Sequence, residues 1–176
     1  MGDRISIEWR SFLLRVEPKT TSREKFVEYT QSWLRPAAME PRAKFTVWAS
    51  DAPGPSSSLP AQVAAKTMEL HAPESVFGYH RALLAAYFTD NRDISDLDVL
   101  ADIAGECGVE QAGFAAAFAE HNQPLTRVVI EEHNSAIESG VTAVPTVVIN
   151  NMMPIPGAQD VDTYETWIER ILAGGT

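Results

Sequence analysis

From about residue 60 to residue 139 the apolar residues recur at helical spacing almost without interruption, while short β-branched runs lie on both sides of this stretch. A chain so built reads as a mixed α/β domain with a large helical insertion. Five helices are expected within the insertion: PAQVAAKTMELH, PESVFGYHRALLAAYFT, SDLDVLADIAGECG, EQAGFAAAFAEH and PLTRVVIEEHNSAIES. Prolines open the first two, Ser95 with Asp98 resembles a capping box for the third, and Gly108 suits its carboxyl-terminal cap. The polar HNQP divides the last two.

Before the insertion, ISIEWRSFLL alternates Ile5, Ile7 and Trp9 with Ser6, Glu8 and Arg10, the period of a strand. Thr21 or Ser22 caps a helix over REKFVEYTQSWLR, with Phe26, Tyr29, Trp33 and Leu34 on one face and Pro36 ending it. KFTVW at 44–48 reads as a short strand, and SDAPGPSSSLPA as a loop. After Gly140, VTAVPTVVINN forms a strand closed by Asn150–Asn151, a pair suited to positive backbone dihedrals. MMPIPGAQ returns as a second strand, and Asp160 caps a final helix whose Tyr164, Trp167, Ile168 and Ile171 make a buried stripe.

The chain has 176 residues, 45% hydrophobic and 22% charged, the balance of a single globular domain. Its formal charge of −10 repels phosphate backbones and anionic lipid, so no nucleic-acid or membrane partner is expected. No signal-peptide pattern opens the chain, and a cytoplasmic location is the expectation. A single cysteine excludes an intramolecular disulfide, a dithiol couple and a multi-cysteine zinc site. That residue, Cys107, follows the apolar positions Val99, Leu100, Ile103 and Ala104 and reads as a small core hydrophobe.

No catalytic, metal or cofactor residue is assigned. His71, His80, His121 and His133 lack a two-histidine ligand spacing, and Glu131-Glu132-His133 with Glu138 reads as a solvated acidic face. Ser56, Ser57 and Ser58 lack a glycine-flanked elbow and read as loop caps; no phosphate-cradling glycine loop occurs. Trp9, Trp33, Trp48 and Trp167 sit at apolar periodic positions and are expected in the core.

The most informative stretch is GVTAVPTVVINN. Pro145 directly before a strand removes a ladder donor, so it belongs at the strand's first residue or in a cis turn feeding it. A cis bond there leaves the backbone of Val144 at the sheet's end, where an extended peptide or thiol substrate can pair with it. An ordinary loop proline is the alternative.

VTAVPTVVINN, with the following hairpin, PGAQ and terminal helix, resembles the closing portion of the DsbA-like, FrnE-type group of the thioredoxin superfamily. EWRSFLL, SSSLPAQVAAK and AYFTDNRDISDLDVLADIAGECGV resemble that group's second strand and inserted helices, so the likeness spans nearly the whole chain. It implies an α/β, thioredoxin-like (DsbA-like) fold, with residues 1–58 and 141–176 as a remnant core and 59–140 as the inserted helical subdomain. It also implies thiol–disulfide exchange by a Cys-x-x-Cys motif at the start of a helix, preceded by a strand. Both should come before ISIEWRSFLL, where only four residues stand.

The first strand and active-site helix are therefore expected to be missing from this chain, and with them the dithiol. Val144 and Pro145 remain as substrate-binding residues. In such a sheet the missing strand is central, and three replacements are open: KFTVW, a shifted first strand, or a strand from a second copy in a homodimer. Two alternatives stand beside a redox-inactive oxidoreductase homologue. One is a non-catalytic binding or assembly module using the cis-proline groove. The other is a relative of glutathione-transferase-kappa and 2-hydroxychromene-2-carboxylate isomerase, which needs an active-site serine from the same missing region.

Overall fold

The computed structural model describes residues 5–40, 42–152 and 154–174, and they divide into two compact units, Met1–Ile130 and Glu131–Thr176. The first unit is helical. Helix α1 (Arg23–Thr30) is capped by Ser22, whose hydroxyl accepts from the Lys25 amide, and passes through a 3-10 turn into α2 (Leu34–Met39). Pro36 thus lies inside the helical run instead of ending it. The 3-10 turn just before it loosens the ladder, so that a missing N–H in the first turn of α2 costs little. Phe26 and Trp33 are buried as expected, whereas Tyr29 and Leu34 are exposed.

Helix α3 (Leu59–His71) is the centre of the unit, with Ala61, Val63, Ala64, Ala65, Lys66, Thr67 and Met68 buried over nearly its whole circumference. Helix α4 (Val76–Phe88) turns Val76, Tyr79, Leu83 and Ala86 inward, a stripe at helical spacing. Helix α5 (Leu97–Glu106) contributes Leu100, Ala101, Ile103 and Ala104. Its N-cap is Asp96, accepting from the Asp98 amide, so the cap lies one residue beyond the expected Ser95. At its other end Gly108 has φ +83°, and the Val109 amide reaches back to Ala104 O at 3.0 Å, as a left-handed helix cap requires.

One long helix replaces the expected last two. Helix α6 (Gln111–Glu138) runs 28 residues with Pro124 inside it. Its buried positions within the first unit, Phe114, Phe118, Leu125 and Val129, keep one phase through the proline, while Pro124 and Glu120 face solvent. Burying those four side chains contributes about 6 kcal/mol or more. That exceeds the roughly 3 kcal/mol an interior proline costs.

Neither expected strand of the first unit forms. Residues 5–14 carry no strand among the described residues; instead Ser11 and Leu13 turn inward and Leu13 joins the core of α3–α6. Residues 44–48 are likewise unpaired with any strand; their polar backbone is bonded to the end of α4 and, at the Trp48 amide, to the Thr30 hydroxyl of α1. The Thr46 amide donates to Phe88 O at 2.8 Å, and Asn91 bridges the Ala49 amide and Thr46 O at 2.8 and 3.1 Å. A smaller aromatic cluster of Phe26, Trp33 and Trp48 packs beside Phe45, Tyr87 and Phe88.

The second unit holds the sheet. Strand β1 (Thr146–Val147) pairs antiparallel with β2 (Ile155–Pro156), in the register Thr146 to Pro156 and Val147 to Ile155. Asn150 and Asn151 have φ +49° and +57°, the turn expected of that pair. Met153, in the expected second strand, lies outside the described residues. Helix α7 (Val161–Leu172) starts at Asp160, whose carboxylate accepts from the Thr163 amide at 2.7 Å. Tyr164, Trp167, Ile168 and Ile171 share one face of α7 but are half-buried, not buried.

Candidate functional site

The segment from Val141 to β1 forms an exposed shoulder of the second unit. Its Val144–Pro145 peptide bond is cis. The Val141 amide ties the start of the shoulder to Ala136 O at 2.9 Å; further on, the Thr146 hydroxyl donates to Ala143 O at 2.6 Å, and the Gly157 amide donates to Pro145 O at 2.8 Å. The Gly157 bond extends the β1–β2 ladder by one step, so Pro145 is the last residue tied to the hairpin. Val144 stands outside it, 42% exposed, and among the described residues its N–H and C=O have no hydrogen-bond partner. A backbone so placed has its donor and acceptor available to an added strand. The exposed Val148 and Met152 flank the hairpin with apolar surface.

Cys107 follows α5 as its C-cap and is half-buried against the core. Burial pushes its thiol up from the ordinary value, and Glu106 pushes in the same direction. That environment is opposite to the one that makes a cysteine nucleophilic, in which a helix amino terminus or a cation lowers the thiol.

The remaining candidates separate. His71 ends α3, His80 lies on α4, and His121 and His133 lie on α6; no group of three His, Cys, Asp or Glu among the described residues is placed to hold a metal ion. The serines fasten loops. Ser58 accepts from the Arg15 amide at 3.2 Å, Ser57 accepts from the Leu59 amide at 3.1 Å, and Ser56 contacts Ser95. Trp33 and Trp48 are core residues, Trp167 is half-buried, and Trp9 departs from the expectation: it is 39% exposed and lies flat on His80. Nothing in the periodicity of residues 5–14 signals that contact, since its partner is 71 positions away in sequence.

Across residues 2–169 the sequence matches the family model of the DSBA-like thioredoxin domain. The chain belongs to that family. Among solved structures, the cytosolic disulfide reductase DsbM from Pseudomonas aeruginosa, determined with GSH, is similar with a TM-score of 0.73 at 17% identity, over 94% of this chain and 84% of that one. A 2-hydroxychromene-2-carboxylate isomerase is similar with a TM-score of 0.59 at 15% identity, over 89% of this chain and 72% of that one. These likenesses establish the DsbA-like thioredoxin fold, here mostly helical with a short two-stranded sheet. A curated relative, the uncharacterized protein YwbO of Bacillus subtilis (strain 168), is 32% identical over 88 residues, 49% of this chain and 42% of that protein. The match thus spans less than half the length of that relative. Among the described residues of this DSBA-like chain, no helix is long and apolar enough to cross a membrane.

Proposed function

We propose that this DSBA-like chain is a thiol–disulfide oxidoreductase homologue that supplies the substrate-docking edge of the fold and no redox nucleophile of its own. The observation that carries the reading is Val144, whose exposed N–H and C=O stand unpaired beside a hairpin anchored through Pro145. A small thiol such as glutathione, or an extended peptide carrying one, pairs its backbone with Val144 while Pro145 sets the edge against which it lies. DsbM determined with GSH supports the small-thiol version. The same solved protein's description as cytosolic supports a cytoplasmic location.

Thiol exchange requires an attacking thiolate and a resolving thiol. The 176 residues contain only Cys107, held protonated by its surroundings, so residues 1–176 acting alone bind without exchanging. Glutathione titrated into labelled protein is expected to shift the amides of Ala143, Val144, Thr146 and Val147, and insulin reduction with dithiothreitol is expected to proceed at the rate of the reductant alone. Shifts confined to other residues would remove the docking role. Insulin reduction clearly above the reductant would remove the inactive one.

The short β1–β2 ladder also supports a homodimer in which a second copy extends the sheet. Sedimentation that stays monomeric at all concentrations would exclude it.

A further inference from the structure

Residues 5–10 are exposed throughout, whereas Ser11 and Leu13 just after them are buried. Contacts of Trp9 hold this exposed strip to the helices. The Lys66 ammonium on α3 donates to Trp9 O at 2.9 Å. The Trp9 indole stacks on the His80 imidazole of α4, with ring centroids 4.4 Å apart and planes 22° apart, and meets Phe77 edge-on at 6.1 Å. Under that stack, His80 Nε2 is shut off from solvent and has no hydrogen-bond partner among the described residues.

We propose that residues 5–10 form a strap that closes over α3 and α4 by laying Trp9 on His80, and that protonation of His80 opens it. In its Nδ1–H tautomer a neutral imidazole leaves only a lone pair at the sealed Nε2, a tolerable deficit. Adding a proton there makes a charged donor with no acceptor, which is far more costly to bury. Lifting the strap returns Nε2 to water. Hinge and anchor are already separate, since Ser11 and Leu13 keep their buried places while the strip before them moves.

Among the described residues, the charged groups of the strap, α3 and α4 that bear on His80 agree in sign or cancel. On α3, Lys66 repels an imidazolium, and its partner Glu69 lies 3.1 Å from it. On the strap, Glu8 and Arg10 pair with each other at 2.7 Å; on α4 itself the nearest charge in sequence is the exposed Arg81. The indole face favours a cation, yet burial and then Lys66 hold His80 below its ordinary value. The closed strap therefore carries no proton penalty above the ordinary histidine range, and the penalty grows as pH falls from that range to the lowered value. Each unit of lowering is a tenfold change in the ratio of open to closed.

The test uses the full chain labelled with 5-fluorotryptophan, the Trp9 resonance being assigned by its loss in Trp9→Phe. Between pH 8 and pH 5 the Trp9 resonance is expected to move toward that of a solvated indole. Amide exchange in residues 5–10, corrected for its intrinsic pH dependence, is expected to rise with it. In His80→Phe, which keeps a ring under Trp9 and cannot titrate, both readouts should stay at their closed values; His80→Gln serves if the first variant does not fold. A wild-type strap whose exchange is unchanged down to pH 5, or a non-titrating variant that opens equally, overturns the proposal.

Discussion

The ring of Phe26 lies against the backbone of Gly54 so closely that a β-carbon at residue 54 would stand 2.5 Å from the ring's Cδ1. Phe26 is itself 1% exposed and packed edge-on against Trp48 with centroids 4.9 Å apart, so it has nowhere to retreat. Gly54→Ala is expected to destabilise the protein by about 1–3 kcal/mol, the usual cost of overpacking a filled site. Urea unfolding followed by tryptophan fluorescence measures this, and an unchanged midpoint would show that the ring can move.

Asn91 joins two elements by both ends of its amide while its backbone sits at φ +54°. Asn91→Ala leaves the Ala49 amide and the Thr46 carbonyl unsatisfied and places an alanine in a left-handed conformation. Its expected cost is about 2–4 kcal/mol. Asn91→Gly relieves the backbone alone and should recover only part of that loss in the same unfolding experiment. Full recovery would mean the two hydrogen bonds contribute nothing.

Cys107 is expected to react with iodoacetamide at pH 7 more slowly than a free cysteine peptide, because burial and Glu106 both raise its thiol. The rate should climb as pH rises past the ordinary value of 9.0. Cys107→Ala is expected to leave the insulin-reduction background unchanged. A fast reaction at neutral pH would contradict the environment described for this thiol.

Asp160 caps α7, and its hydrogen bonds to Thr163 hold its carboxyl below the ordinary value of 3.8. A depressed carboxyl contributes stability that is complete above that ordinary value and is lost as pH falls through the lowered one. Exchange of the Thr163 amide should therefore quicken in acid in the wild type. In Asp160→Asn, which caps without titrating, the same amide should show no such acid step. Equal acid steps in both proteins would assign the change to another group.

What the sequence makes legible here is local. Ser22, Gly108, the Asn150–Asn151 turn and Asp160 act within a few residues of themselves, and each is found where its chemistry points. The cis bond at Pro145 is one of the readings that the Val-Pro pair and the following β-branched run leave open, beside an ordinary loop proline. Readings that depended on distant partners fared differently. Ile5, Ile7 and Trp9 alternate as a strand does, yet alternation cannot say whether a neighbouring strand exists, and Trp9 found a histidine. HNQP looked like a break because proline chemistry is local, while the stripe from Phe114 to Val129 that overrides it is read only across 16 residues. The proposed site divides in the same way: Val144 and Pro145 are adjacent in sequence, but the exposure of Val144 depends on what the hairpin bonds and what it leaves alone.

The bonding of residues 44–49 to the end of α4 bears on the order in which the first unit can assemble. Apart from the Thr30 hydroxyl that accepts from the Trp48 amide, their acceptors and donors, Phe88 O, the Thr89 hydroxyl and the Asn91 amide, lie 42 to 45 positions further along and exist as a docking surface only once α4 has formed and its last turn has opened into Thr89–Asn91. Closing a loop of that length before any reward is entropically unfavourable. Substitutions in 44–49 should therefore quicken unfolding while leaving the folding rate nearly untouched, the kinetic signature of a strip that is laid down after its template.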